Sequence, residues 1–222
     1  MPHRHLHPHS KQPLASSSLS RLMRRSPSSP WLRGHKVCLS VGIFAAMLST
    51  ACGDPKGDTG VDAAQLASVT MFVTETRQNA NFGGIAGADA LCAQEAASAG
   101  LQGEYKAWLS TSSSSVASRL IQHDAPHVRV DGTVIANNWQ DLVDGSIEAP
   151  INLDATGIQR GGDVWTGTLA NGNSNPGNDC SGFTNGGIET ALCGNVLATG
   201  PAWTEEVTPP CYTGLRLYCI QQ

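Results

Sequence analysis

The side chains with the most chemistry to offer are cysteines: Cys92, Cys180, Cys193, Cys211 and Cys219 all fall in the C-terminal part of the chain. No Cys-x-x-Cys pair occurs among them, which speaks against a zinc knuckle or a thioredoxin-like redox motif. They read as disulfide partners if the chain is exported and as buried thiols if it is not. Other candidates are few. His123 and His127 stand four apart, but Pro126 lies between them and forbids the helical turn that would align two imidazoles on one metal, so they read as an exposed loop. Asn175-Pro176-Gly177-Asn178-Asp179 gathers hard oxygen donors of the kind calcium takes, and the same residues are turn formers. No Gly-x-Ser-x-Gly nucleophile elbow is present, and nothing singles out an acid/base pair among the carboxylates. These residues point away from an enzyme.

The compartment follows from the N-terminal third. Val37–Ala51 is an apolar run preceded by Arg24, Arg25, Arg33 and Lys36 and closed by small residues. As a helix it would rise about 22 Å, short of the about 30 Å hydrocarbon core. A basic region, a short apolar run and a small-residue exit describe a secretory signal, so residues 1–51 are expected to be a signal peptide with a long basic region. The alternating His3, His5, His7 and His9 lie upstream of the cleavage point, so a metal role for them is not expected. Met23 would serve as the start of a signal of ordinary size. Leu48-Ser49-Thr50-Ala51-Cys52 resembles the lipobox of bacterial lipoproteins, in which the cysteine is acylated and becomes the N-terminus. The leucine stands four places before the cysteine rather than the usual three. Ser49-Thr50-Ala51 also fits ordinary signal peptidase, which would release a secreted protein. Residues 52–68, rich in Gly, Asp and Ala, read as a flexible tether, which favours a lipid anchor on Cys52 and a cell-envelope location facing periplasm or exterior.

Seven of the 14 Lys and Arg precede Cys52 and all 18 Asp and Glu follow it, so the mature chain carries −11. That excludes the basic patch of a nucleic-acid binder and favours basic partners or divalent cations. Residues 69–222 are enough for one domain with one core. Five cysteines in an exported domain leave one thiol over, unless Cys52 stays unacylated and supplies a sixth.

The elements that must position these residues are legible in part. Val69–Thr76 is β-branched and reads as a strand. Ala86–Ala99 reads as a helix stopped by Gly100, with Cys92 on or beside its buried face. Tyr105–Ser110 reads as a short strand with Trp108 inward, and Val116–Ile121 as a short helix capped by serine. Asp131-Gly132 predicts a two-residue type I′ hairpin turn between Val128–Val130 and Thr133–Ile135. Asn137–Val143 reads as a short helix and Val164–Leu169 as a strand. Asn171–Gly187 is a long stretch of Gly, Asn and Ser without periodicity. Leu215–Ile220 alternates and reads as the last strand, carrying Cys219. The layout is α+β with a mainly antiparallel sheet, and Cys92 and Cys219 could bridge the ends of the domain.

Taken together, FVTET, GGIAGADALCAQEAASAGL, YKAWLS, VRVDGTVIANNW, VWTGT and LYC resemble a bacterial extracellular domain family of uncharacterised function, related to the C-type-lectin-like fold and to endostatin. The resemblance runs from Met71 to Ile220. It implies a lectin-like domain, an end-stapling disulfide Cys92–Cys219 and a loop disulfide Cys180–Cys211, with no partner for Cys193. The Glu-Pro-Asn or Gln-Pro-Asp loop and the Trp-Asn-Asp strand of calcium-dependent sugar-binding lectins are absent, so no cofactor is expected. Ligand contact, with a glycan or an extracellular protein, is expected in the stapled stretch Asn171–Pro210; the alternative is a structural envelope lipoprotein without a dedicated ligand, and a secreted enzyme comes last. Asn175, Asn178 and Asp179 would supply polar groups there and an exposed Trp203 an aromatic face. Trp108, Trp139, Trp165 and Trp203 read as core and sheet-packing residues ahead of a ligand role, Trp203 being the one whose place after Gly200-Pro201 could leave it exposed.

Overall fold

Seven short strands, three right-handed α-helices, a left-handed turn at Cys180–Phe183 and a 3-10 turn at Pro201–Trp203 follow one another along residues 67–222, which the computed structural model describes. The sheet is built around the chain's last strand. β1 (Val69–Val73) and β7 (Arg216–Gln221) pair antiparallel, Met71 with Ile220 and Val73 with Tyr218. On its other edge β7 takes two partners end to end: β2 (Tyr105–Ala107), antiparallel, and β5 (Asp163–Trp165), parallel. β3 (His127–Arg129) runs parallel to β1 and pairs with β4 (Val134–Ala136), and β6 (Cys193–Asn195) pairs with β5. The order is β4-β3-β1-β7-β5-β6 with β2 alongside β7. Four of the six pairings are antiparallel. The fold is α+β with a curled sheet.

Both faces of the central strands are covered. Met71, Val73, Tyr218 and Ile220 enter one apolar cluster with Trp108, Trp139, Leu142 and Trp203. Phe72, Leu217 and Cys219 enter a second with Ala88, Cys92, Ala96, Leu109 and Trp165. The period-2 alternation thus divides each strand between two cores, as expected of strands covered on both sides.

α1 (Ile85–Ser98) presents Ala88, Cys92 and Ala96 to that second core. Spaced by four, these small side chains share one face and let the helix lie close to the sheet. Its end is a Schellman turn: the Leu101 N–H donates to Ala96 O, the Gly100 N–H to Ala97 O, and Gly100 takes φ 76°. α2 (Val116–Arg119) carries the expected serine cap, with Ser115 Oγ accepting from the Ser118 N–H and Ser118 Oγ from the Ser115 N–H. Arg119 forks onto Asp89 of α1 at 2.5 Å and donates to Ala107 O at 2.7 Å, tying α1, α2 and β2. α3 (Trp139–Leu142) is capped by Asn138.

Two sequence expectations are corrected. The Asp131-Gly132 turn is not type I′, which needs positive φ at both central residues, because only Gly132 has it. The Gly132 N–H donates to Arg129 O and the Arg129 N–H to Thr133 O, so residues 130–132 form a three-residue loop with glycine in the left-handed position. His127 is not in an exposed loop either; it opens β3 with its side chain fully buried.

Candidate functional site

The cysteine-rich stretch is ordered by a ribbon that sequence reading missed. Bridges Thr190↔Pro210 and Cys193↔Val207 set one antiparallel register. The Ala191 N–H donating to Pro209 O and the Cys211 N–H to Glu189 O agree with it. Cys211 is bonded to Cys180, and Cys92 to Cys219, while Cys193 is a buried free thiol. Burial, with Asp163 adding to it, pushes the Cys193 thiol up to about 12, so it stays protonated and unreactive at neutral pH.

Ahead of the ribbon, Cys180, Ser181, Gly182 and Phe183 all take φ between 50° and 69°, one left-handed turn. Such a conformation costs about 1–2 kcal/mol per non-glycine residue and persists where the surroundings over-determine it. Here the constraints are the Cys180–Cys211 bond, the Gly182 N–H donating to Asp179 Oδ1, and Phe183 buried against Phe82 and Trp165.

Of the residues expected to meet a ligand, Asn175 and Asn178 are part-exposed in one turn, where the Asn178 N–H donates to Asn175 O, while Trp203 and Asp179 are buried. Trp203 is 0% exposed, which overturns its reading as an open aromatic face. A single 3-10 turn, Pro201–Trp203, swings the indole inward. There it packs on Trp108 with ring centres 5.1 Å apart and on Tyr218 at 5.8 Å, and Trp108 continues the cluster to Trp139 at 5.7 Å. Asp179 is 9% exposed, and its oxygens accept from the Ser112 N–H and hydroxyl and from the Gly182 N–H. Those hydrogen bonds outweigh burial and hold its carboxyl below the usual range. It is a structural anchor between two loops, not a free ligand group. Asn178 Oδ1 accepts from the Thr190 hydroxyl. Asn175 is half-buried. Among the described residues, no group of three or more His, Cys, Asp or Glu is placed to hold a metal ion.

Outward-facing apolar side chains lie elsewhere on the same stapled region. Ile188 is 88% exposed and Tyr212 62%. The ribbon's register ends at Cys211, whose N–H donates to Glu189 O; the next bond, from the Tyr212 N–H to Gly187 O, is one residue out of it and joins the two bending chain segments that carry Ile188 and Tyr212. The two exposed apolar residues thus lie on neighbouring segments at the end of the ribbon, an apolar tip next to Cys211 and its bond to Cys180. Its surroundings are acidic: residues 161–215 contain no Lys or Arg, against Asp163, Asp179, Glu189, Glu205 and Glu206. The available signal was Ile188 and Tyr212 each standing alone among Gly and Thr, with no periodic apolar neighbours to pack on.

Cys52, its signal and its tether lie outside the described residues. Among those described, no helix is long and apolar enough to cross a membrane. No curated protein matches the chain. A family model described as a protein of unknown function (DUF1554) matches residues 75–198, which spans α1 to just beyond β6 and stops short of Tyr212 and β7. With more than half of its length matched, the chain belongs to the DUF1554 family.

Proposed function

We propose that this is an exported protein, lipid-anchored to the cell envelope through Cys52, whose domain 69–222 is a C-type-lectin-like binding module rather than an enzyme. Its ligand is an extracellular protein carrying an apolar pocket rimmed by basic residues; a glycan is the second reading, taken up below. The observation that carries the proposal is the Ile188–Tyr212 tip. An isoleucine and a tyrosine left exposed on neighbouring segments at the end of the ribbon gain nothing for the fold, and an aromatic near an aliphatic is the usual make-up of an interface anchor. The disulfide and the left-handed turn keep the tip rigid, which lowers the ordering cost of binding. The uniformly acidic 161–215 stretch sets the partner's charge. The lectin-like reading is supported by the adjacency of the first and last strands, the disulfide joining α1 to the last strand, and a long loop region with its own disulfide.

The test uses the full-length protein taken from the membrane fraction, where mass spectrometry should find acylated Cys52 as the N-terminus. Screened against matrix proteins and glycans with and without calcium, it should bind a protein ligand without needing the metal. The pair Ile188→Asp and Tyr212→Ala should weaken that binding at least tenfold, while the melting temperature stays within a few degrees. Unchanged binding in the pair would refute the tip, and an unmodified Cys52 in the soluble fraction would refute the anchor.

A further inference from the structure

A second concave site is built from elements that the tip does not use. The segment before β3 and the start of α3 enclose a cleft of about 310 Å³ lined by Gln122, His123, Asp124, Asn138, Trp139 and Gln140, at the small end of the range for small-molecule sites. The two walls are held together by the Trp139 N–H, which donates to His123 O at 3.2 Å. Trp139 is locked against Trp108, so one wall is rigid.

The lining is selective in its chemistry. Three carboxamides, one carboxylate, one imidazole and one indole face the cleft, with no Lys or Arg among them. Little of the polarity of the carboxamides and the imidazole is used by the fold. Gln122 donates one amide hydrogen to Ala117 O, and Asn138 Oδ1 accepts from the Asp141 N–H, which leaves the Gln122 oxygen and the Asn138 amide nitrogen for a ligand. Gln140 is exposed, and its side chain has no hydrogen bond among the described residues. His123 Nε2 is shielded from solvent and also lacks a partner there. Leaving such a group unpaired costs about 1–3 kcal/mol, and a small rotation of the ring would let a ligand hydroxyl supply the missing bond.

Carboxamides donate and accept at once, and so do hydroxyl groups. Phosphates and carboxylates instead need cationic donors for tight binding, and this cleft has no Lys or Arg. We infer that the cleft between residues 122–124 and 138–140 binds a neutral, polyhydroxylated ligand of the size of one sugar ring. The inference stands apart from the Ile188–Tyr212 tip and does not depend on it.

The test is a side-chain amide NMR titration of the ¹⁵N-labelled full-length protein in detergent micelles. The probes are glucose, galactose, mannose and N-acetylglucosamine, with inorganic phosphate as the anionic comparison. At least one sugar should give saturable shifts at the side-chain amides of Gln122, Asn138 and Gln140, with phosphate giving none. Gln140→Ala removes an exposed side chain that supports nothing in the fold, and should weaken that sugar roughly three- to tenfold, the loss of one or two neutral hydrogen bonds. Ile188→Asp should leave it unchanged. Absence of saturable shifts with all four sugars, equal shifts with phosphate, or unaltered affinity in Gln140→Ala would each overturn the assignment.

Discussion

His127 opens β3 with a fully buried imidazole, and neither ring nitrogen has a hydrogen-bond partner among the described residues. Burial, with nearby His123 adding to it, lowers its pKa to about 4; in an unfolded chain the value is near 6.5. Between those values the unfolded chain takes up a proton that the folded one refuses. Stability is therefore full above pH 6.5 and declines as pH falls toward 4, by about 3 kcal/mol in all. Carboxylates act in a lower window. Asp131, hydrogen-bonded by Arg129, is held down to about 2, so its contribution is complete above pH 4 and fades only below it. Urea denaturation of the wild type should show the decline between pH 6.5 and 4, and His127→Leu should flatten it. An equal slope in both proteins would exclude His127 as the group responsible.

Strand β6 owes its place to a glycine. Gly194 lies where β6 passes the 3-10 turn, and a Cβ there would sit 2.1 Å from the Trp203 carbonyl oxygen. That contact is backbone against backbone, so no side-chain rotation relieves it. Gly194→Ala must push the turn away from the strand and pull the Trp203 ring off Trp108, a strain of about 1–3 kcal/mol or more. Gly161→Ala is the comparison, because its added methyl meets open space and should change stability by no more than about 0.5 kcal/mol. Thermal melts of the two variants should differ by several degrees. Coincident melts would mean that the approach of β6 to the turn is looser than its geometry implies. The buried hydroxyls nearby serve the same packing: Thr168 Oγ1 donates to Ser110 Oγ, Thr166 Oγ1 to Thr204 O, and Trp108 Nε1 to Thr204 Oγ1. Segments far apart in sequence can therefore cross at this point with these hydroxyls paired, although Trp203 Nε1 beside them is buried without a hydrogen-bond partner among the described residues.

The whole domain is closed by its own ends. β7 reaches the centre of the sheet only after every other strand has been made, and Cys92–Cys219 spans 127 residues in doing so. Cys180–Cys211 spans 31. On the chain-entropy account the longer closure contributes about 5 kcal/mol and the shorter about 3.5. The variant Cys92→Ala with Cys219→Ala should therefore lose more stability in chemical denaturation than Cys180→Ala with Cys211→Ala. The shorter bond has a different task, since it also holds the left-handed turn under the apolar tip. Its removal should weaken ligand capture more than it weakens the fold. A larger stability loss from the shorter bond would show that strain or residual structure, not loop length, governs here.

Features with a cause within a few neighbouring residues were legible in the sequence. Small residues at spacing four and a following glycine specify α1 and its Schellman end. Ser115 specifies the start of α2, and β-branched or alternating runs specify β1 and β7, each within two residues or so of where it lies. The mainly antiparallel α+β class followed from those elements. Burial was less legible, because it depends on what the rest of the chain brings alongside. Trp203 follows a Gly-Pro pair and looks like a loop residue, yet Trp108 and Tyr218 close around it from two distant segments. Asp179 looks like one donor in a polar loop, yet Ser112, some 67 positions earlier, uses its carboxylate. Ile188 and Tyr212 look like two unrelated apolar residues until the bond from the Tyr212 N–H to Gly187 O brings their segments together at the ribbon's end. Local sequence chose the elements, because capping, propensity and turn chemistry act over a few residues. Tertiary structure chose which side chains a partner can reach, because exposure is what remains after all long-range packing is complete.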